Sequence, residues 1–449
     1  MGSGAAGNGL AKDAIAHGDT VAGFLDDVQT GAQVLGTLAA VNEVIAAHDI
    51  DMVYFAIPSA PAKMVRAFIS TIEAENVDLA IIPRTYEIIT KDTVDINDLT
   101  DIDVLDLVGR QPVKHDLLAA RDFIAGKTIL ITGAAGSIGS RLTKQVAAMD
   151  AARVVCVDWW ENGIFFLERE LGEGRNTVFR IADIKNEKLM ASIFETYRPD
   201  IVFHAAAYKH VPLMQENPAA AIINNIAGSL ALMKLAIASS VANFVYVSTD
   251  KAVNPVNVMG ATKRVGELLM LSLAREQSTT KFNAVRFGNV IQSNGSVMQI
   301  FRDQIARRSP LTVTHPDVTR FFMTVDEASQ LIIQSALVGN AGEIFVLDMG
   351  EPVRIMDLAR SLVRAVDPSL SIEIVGMRPG EKMYEELSYE PDDVDSTSNE
   401  KIFVVREPAD SASPQFLGAV EALLRDAAAY DLTDDALIGR LRELGFAIQ

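Results

Sequence analysis

The segment STDKAVNPVNVMGATKR, residues 248–264, sets a hydroxyl, a carboxyl and an amine side by side at Thr249, Asp250 and Lys251. The apolar run NFVYV before it reads as a strand, and NVMGATKRVGELLMLSLA after it as a helix. At the C-terminal edge of an open parallel sheet, where ligands collect, all three groups have a route to a substrate. Met259 and Lys263 lie one turn apart on one face of the following helix. A thioether has no proton to lose, so Met259 does no acid or base work; taken alone it reads as core packing.

The elements that would place these groups begin at Lys127. KTILITGAAGSIGSRLTKQV is an apolar strand followed by Gly133, Gly136 and Gly139 and then a helix. That spacing permits a tight turn, lets backbone approach a pyrophosphate and aims a helix N-terminus at its charge. The next strand, RVVCVD, ends at Asp158, nineteen residues after Gly139, where an acid takes the ribose hydroxyls of an adenosine. This favours NAD over its phosphorylated form, with Arg141 and Arg153 weighing slightly the other way. Asp183 in RIADI ends a further strand and reads either as an adenine ligand or as a helix cap. IVFHAAAYKHVP, from Ile201, is a buried strand that opens into small residues, Ala205 and Ala206, beside the cofactor's path. Lys209 and His210 follow, as substrate contacts or as ordinary rim charges.

A chain of 449 residues accommodates two or three domains. Short apolar runs alternate with helical stretches from about residue 19 to 108, which predicts a small parallel-sheet domain. A stronger βαβ series runs from Lys127 to about Val346, with residues 107–126 as connector and the boundary near residue 122. The expected domains are 1–122 and 123–449, the second with a cofactor-binding core at about 127–290 and substrate-binding parts at about 291–325 and 350–410. The turn GAAGNG near the start offers a second nucleotide site through Gly4, Gly7 and Asp26, or a structural remnant; glycine spacing alone favours the remnant. No strand precedes that turn, so the natural chain is expected to continue upstream.

Forty basic against fifty-nine acidic residues, a net charge of -19, argue against nucleic acid or an anionic membrane as partner. The single cysteine, Cys156, excludes disulfides within the chain, disfavours a thiolate metal site and fits a reducing cytoplasm. Residues 219–241 are apolar but interrupted by Asn224, Asn225 and Lys234, and read as a buried helix, with no membrane span. The first residues have no signal-peptide pattern.

The runs TGAAGSIGS, HAAAYKHVPLMQENP, STDKAVNPVNVMGATKR, RFGNV, NGSV, TRFFMT and RPGEKMYEEL, spread from residue 123 to about 405, carry a resemblance. This part of the chain is similar to the extended short-chain dehydrogenase/reductase family. Within it, the likeness is to the polysaccharide-biosynthesis branch of C5-retaining UDP-N-acetylglucosamine 4,6-dehydratases. The resemblance implies an α/β fold: a Rossmann-type doubly wound sheet with a smaller C-terminal substrate subdomain, preceded by a second Rossmann-like domain. It also implies NAD-dependent oxidation at C4, loss of water across C5 and C6, and reduction at C6.

By the same resemblance Asp250 is the acid and Lys251 the base, roles that need oppositely tuned proton affinities. Thr249 and Lys263 serve the C4 hydroxyl, and Met259 stands where inverting dehydratases keep a tyrosine. Ser137, Ile138 and Ile184 join the glycines, Asp158, Asp183, Ala205, Ala206 and Lys263 around the cofactor. Lys209, His210, Asn225, Asn289, Gly295, Ser296, Arg320, Arg378 and Glu381 hold the UDP-sugar, the arginines meeting its diphosphate. No metal is implied. Helices around 217–239 and 258–276 resemble those through which family members dimerise, so a homo-oligomer is expected. Family members usually carry transmembrane helices upstream, which would place the protein at the cytoplasmic face of a membrane.

The chain departs from the family pattern at Ile291 and Gln292, at Gln215, and in WWENGIFF after Asp158. Two other functions stand beside the dehydratase: a nucleotide-sugar epimerase, which has no use for an acid at C6, and an inactive regulatory protein that binds NAD and UDP-sugar.

Overall fold

The computed structural model describes residues 2–31, 33–57, 60–72, 77–81, 100–101, 117–172, 176–291, 293, 295–366, 369–388, 394–407 and 412–449. Gln292 and residues 107–116 of the expected connector lie outside them. The chain forms two compact units. One comprises Met1–Val113, Val297–Thr319 and Val353–Gly376; the other comprises Lys114–Ser296, Arg320–Pro352 and Met377–Gln449.

The second unit is built on a nine-stranded sheet. In chain order its strands are β1 (Thr128–Thr132), β2 (Arg153–Asp158), β3 (Thr177–Ile181), β4 (Ile201–His204), β5 (Asn243–Val247), β6 (Lys281–Arg286), β7 (Glu343–Leu347), β8 (Val394–Ser396) and β9 (Ile402–Val405). Their spatial order is β8-β9-β7-β6-β5-β4-β1-β2-β3. Strands β1 to β7 are parallel, and β9 and β8 close one edge antiparallel. The order reverses between β1 and β4, the crevice where open α/β sheets bind ligands.

Because side chains alternate across a strand, Ile129, Ile131 and Cys156 enter one apolar cluster, and Leu130, Val155 and Val157 enter the other. Burial on both faces is why these strands read as continuous apolar runs. Burial also pushes the Cys156 thiol up to about 12, so it holds its proton.

Helices α1 (Ser137–Ala147), α2 (Glu161–Leu171), α3 (Glu187–Tyr197), α4 (Ser229–Ala238), α5 (Val258–Glu276), α6 (Val325–Val338), α7 (Pro414–Ala429) and α8 (Asp434–Glu443) belong to the same unit. The stretch Pro218–Ala238, which ends in α4 and passes through a π-helical turn at Ile223–Gly228, is long and apolar enough to cross a membrane. Yet 56% of its most apolar window is buried within the protein.

On α5, every residue from Val258 to Ser272 is buried. Val258, Met259, Val265 and Leu269 share an apolar cluster with Val420 and Leu423 of α7 and Leu437 and Leu441 of α8. Helices α7 and α8 thus pack on this apolar face of α5.

The first unit holds the helix Ala5–His17, a parallel strand pair Phe24–Leu25 and Val34–Gly36, and a three-stranded sheet. In that sheet Met52–Phe55 and Asp78–Ile81 run parallel and Thr100–Asp101 antiparallel, so the expected parallel patterning is split between two small sheets. Asp26 follows the strand Phe24–Leu25 and is turned toward the glycine turn. Its Oδ2 accepts from the Ser3 N–H and hydroxyl at 2.7 and 2.8 Å, and its Oδ1 from the Val28 and Gln29 N–H groups. Those bonds hold the Asp26 carboxyl far below the usual carboxylate range.

Candidate active site

The glycine turn between β1 and α1 is shaped by close backbone approach. Gly133 has φ +70°, and a Cβ there would lie 2.6 Å from the Ala206 nitrogen and 2.7 Å from the Ala205 carbonyl carbon. A Cβ at Gly139 would lie 1.9 Å from the Gly133 oxygen. No side chain caps the start of α1, where Gly136 precedes Ser137 and Ile138, and the N–H groups of a helix's first turn suit an anion. Asp158 ends β2 with one oxygen accepting from Ala135 N–H at 2.9 Å and the other from Trp160 N–H at 3.0 Å. The carboxylate is thereby aimed, with lone pairs left for two ribose hydroxyls.

Arg141, one of the two cations weighed for a 2'-phosphate, is ion-paired with Asp326. The other, Arg153, lies over the Tyr197 ring at 5.8 Å. Asp183 is not the cap of α3, which is Asn186 accepting from Leu189 N–H. It accepts instead from Lys185 N–H at 2.9 Å and pairs with the Lys185 ammonium at 3.1 Å. Beside it, Ile184 is buried. These residues together fit a dinucleotide with an unphosphorylated adenosine ribose.

Thr249, Asp250 and Lys251 leave the end of β5 on one turn of 3-10 helix. Asp250 is fully buried, its Oδ1 accepting from the Thr249 hydroxyl at 2.8 Å and from the Lys251 ammonium at 3.0 Å. The ammonium also donates to Asn289 Oδ1 at 3.3 Å and lies 3.3 Å from Glu385 Oε1. Asn289, expected on the nucleotide, thus belongs to the reactive cluster as well. Burial raises the Asp250 pKa above the ordinary carboxylate value; Lys251 pulls it down and Glu385 pushes it further up. Burial works to lower the Lys251 pKa, but Asp250 and Glu385 outweigh it and the net shift is upward. Both pKa values are thus pushed upward, in a carboxyl and an amine 3.0 Å apart.

Lys263 reaches back toward β5, its Nζ 3.9 Å from the centroid of the Tyr246 ring. Burial lowers its pKa to about 7, with Glu267 opposing. Tyr246 does not replace the missing tyrosine. Its hydroxyl abuts α5, where a Cβ on Gly266 would lie 2.2 Å away, and burial raises its pKa well above the ordinary value. His204 on β4 is flanked at both ring nitrogens by Thr132 and Ser229 hydroxyls at 2.7 and 2.8 Å. Burial and then Lys263 push it down to about 3, so it is neutral. Met259 is 3% exposed and packs with Ile222 and Val420, as core packing requires.

One turn beyond Lys263, Glu267 is the hub of a buried ion cluster. Arg286 meets it with two bonds of 2.8 and 2.7 Å, Arg264 with one of 3.0 Å, and the Ser248 hydroxyl with one of 2.7 Å. Glu407 balances the two arginines. Burial acts to raise the Glu267 pKa, but Arg286 and Arg264 prevail and hold it below the ordinary value. The cluster ties α5, the carrier of Lys263, to the strand end that presents Thr249.

On the substrate side, Arg320 pairs with Glu381 at 2.8 Å and lies 3.7 Å from Glu385. Arg378 is exposed, and its N–H donates to Glu381 at 3.3 Å. Gly295, at φ +70°, packs on His210, whose Cε1 would lie 2.4 Å from a Cβ there; Ser296 N–H donates to Ser293 O at 3.0 Å. Partial burial lowers the pKa of Lys209 and of His210.

Asn225 is bonded on every side. Its oxygen accepts from Tyr208 N–H and from Asn224, and its amide donates to Tyr208 O and to Thr262. All four of its hydrogen-bonding positions are filled, so it braces the Lys209 loop. Gln215 has a role that glutamate could not fill: it accepts from Val258 N–H and donates to Gln449 O, which pins the start of α5. Glu385 and Glu267 are the site residues that sequence reasoning passed over. The available signal was an acid four residues beyond a named one, Glu381 or Lys263, and for Glu267 an acid inside an apolar helix.

Residues 129–407 match the family described as polysaccharide biosynthesis protein, which is more than half of the chain. The chain belongs to that family. It also lies in the extended short-chain dehydrogenase/reductase group by fold. Residues 4–83 match a family described as CoA-binding domain. The capsular polysaccharide biosynthesis protein CapD of Staphylococcus aureus is 42% identical over 79% of this polysaccharide biosynthesis family member and 60% of CapD. The probable polysaccharide biosynthesis protein EpsC of Bacillus subtilis is 42% identical over 81% of this chain and 63% of EpsC. The chain thus spans under two thirds of the length of either relative. Among solved structures, Pen from Bacillus thuringiensis superposes with a TM-score of 0.60 at 35% identity, covering 64% of this chain and 91% of Pen.

Proposed function

We propose that this chain removes water from UDP-N-acetylglucosamine, giving a 4-keto-6-deoxy sugar with retained configuration at C5 for surface polysaccharide synthesis. The observation that carries this reading is the triad at the end of β5. A fully buried Asp250, its pKa raised by burial, lies 3.0 Å from Lys251, with Thr249 beside them, at the sheet edge that also carries the dinucleotide turn. Family membership and the names of CapD and EpsC support a role in polysaccharide synthesis.

NAD, bound along Gly133–Gly139 with its ribose on Asp158, supplies the hydride acceptor at C4 and the hydride donor at C6. Thr249 and Lys263 orient the C4 hydroxyl, and Lys263, poised near neutrality, carries its proton away. The C4 ketone acidifies the C5 proton, which Lys251 takes as the neutral amine. Asp250 gives its proton to the departing C6 hydroxyl, which leaves as water. Arg320 and Arg378 meet the diphosphate, which needs local cations in an acidic protein, and Glu381 orients Arg320. Retention at C5 is proposed because Met259 stands where the inverting dehydratases that this chain otherwise resembles keep a tyrosine.

The test is to incubate the purified chain with UDP-N-acetylglucosamine and follow the mass of the nucleotide sugar. A product lighter by one water is expected. A galacto isomer of unchanged mass would make the protein an epimerase, and unchanged substrate would leave it a binding protein.

A further inference from the structure

We propose that Glu385 is a positioning residue that takes the Lys251 proton, so that Lys251 acts as a neutral base while Asp250 stays protonated. This inference rests on the dehydratase reading. The charged ammonium of Lys251 donates to Asp250 Oδ1 at 3.0 Å and to Asn289 Oδ1 at 3.3 Å, and is ion-paired with Glu385 Oε1 at 3.3 Å. A protonated amine held in this way has no lone pair for a C5 proton. One of the three acceptors must receive a proton before the base can work. The Asn289 amide cannot do so at neutral pH. Asp250 must already hold its own proton to serve as the acid, and the burial of that carboxyl favours its neutral form. Glu385 remains.

Its surroundings suit the exchange. The side chain is 3% exposed, and Oε2 is buried with no hydrogen-bond partner among the described residues. A buried oxygen without a donor is costly. Arg320 Nε lies 3.7 Å from Oε1. The groups facing Lys251 are thus Asp250 on its own turn, Asn289, Glu385 and Arg320.

The proton count closes. One proton passes from Lys251 Nζ to Glu385, and rotation about the Cε–Nζ bond turns the freed lone pair toward the sugar. Lys251 gains the C5 proton as Asp250 loses its own to the C6 hydroxyl. As hydride returns to C6, Lys251 gives its proton back to C5 and Glu385 returns its own to Lys251; the proton that Lys263 took from the C4 hydroxyl passes to Asp250 by way of the Thr249 hydroxyl, 2.8 Å from Oδ1, and restores the acid.

Glu385→Gln keeps the shape and removes the acceptor. Two readouts on the full chain decide the proposal. The kcat for water loss should fall about 100-fold or more, a general-base-sized effect, with KM held and residual activity rising with pH as solvent takes the Lys251 proton. The labelled Lys251 Cε resonance should titrate at lower pH in the variant, because one flanking carboxylate is gone; this readout needs no turnover. Glu385→Asp should recover part of the rate. An unchanged kcat, an unchanged titration, or a loss confined to KM, as a mere support for Arg320 would give, overturns the proposal. Wild-type protein that removes no water in the same assay overturns the dehydratase reading instead, and this inference with it.

Discussion

Asp250→Asn should lower the rate of water loss by about 100- to 10,000-fold, the range that a general acid supplies. The substitution is nearly isosteric in a fully buried site, and the amide oxygen can still accept from Thr249 and Lys251. What disappears is the proton for the C6 hydroxyl. Cofactor binding should be unchanged, because Asp250 hydrogen-bonds no part of the glycine turn. The chain's two tryptophans, Trp159 and Trp160, directly follow Asp158, so their fluorescence reports cofactor binding separately from turnover. In the wild type, the raised Asp250 pKa keeps the acid competent above the ordinary carboxylate range, and the rate should fall as pH rises through that pKa. A variant with wild-type turnover would remove Asp250 from the mechanism.

Arg286→Met should destabilise the second unit by about 3–5 kcal/mol, the cost of leaving a buried charge without its partner. Arg286 and Glu267 are both fully buried, and the arginine makes two of the bonds that keep Glu267 ionised. Adding Glu267→Gln should recover part of the loss, since the orphaned charge goes with it. Chemical unfolding of the single and double variants measures both. A single variant within about 1 kcal/mol of wild type would show that the cluster contributes little, as exposed pairs do.

Local order along the chain made much of this site legible. Gly133, Gly139 and Asp158 follow one another within two strands and a helix, and continuous apolar runs mark those strands. Thr249, Asp250 and Lys251 are consecutive, so one strand end delivers all three. The contributions that escaped come from distant segments. Glu385 reaches Lys251 from 134 positions away, a separation that no periodicity encodes. The four filled hydrogen-bonding positions of Asn225 and the packing of α7 and α8 on α5 likewise come from tertiary packing.

The central claim is that water leaves across C5 and C6 with C5 retained, and NMR of the product formed from UDP-N-acetylglucosamine in deuterated water tests it most directly. The account predicts a 4-keto-6-deoxy sugar that carries deuterium at C5 in the configuration of the substrate. A C5-inverted product would contradict the reading of Met259, and a C4 epimer without deuterium at C5 would contradict the elimination itself.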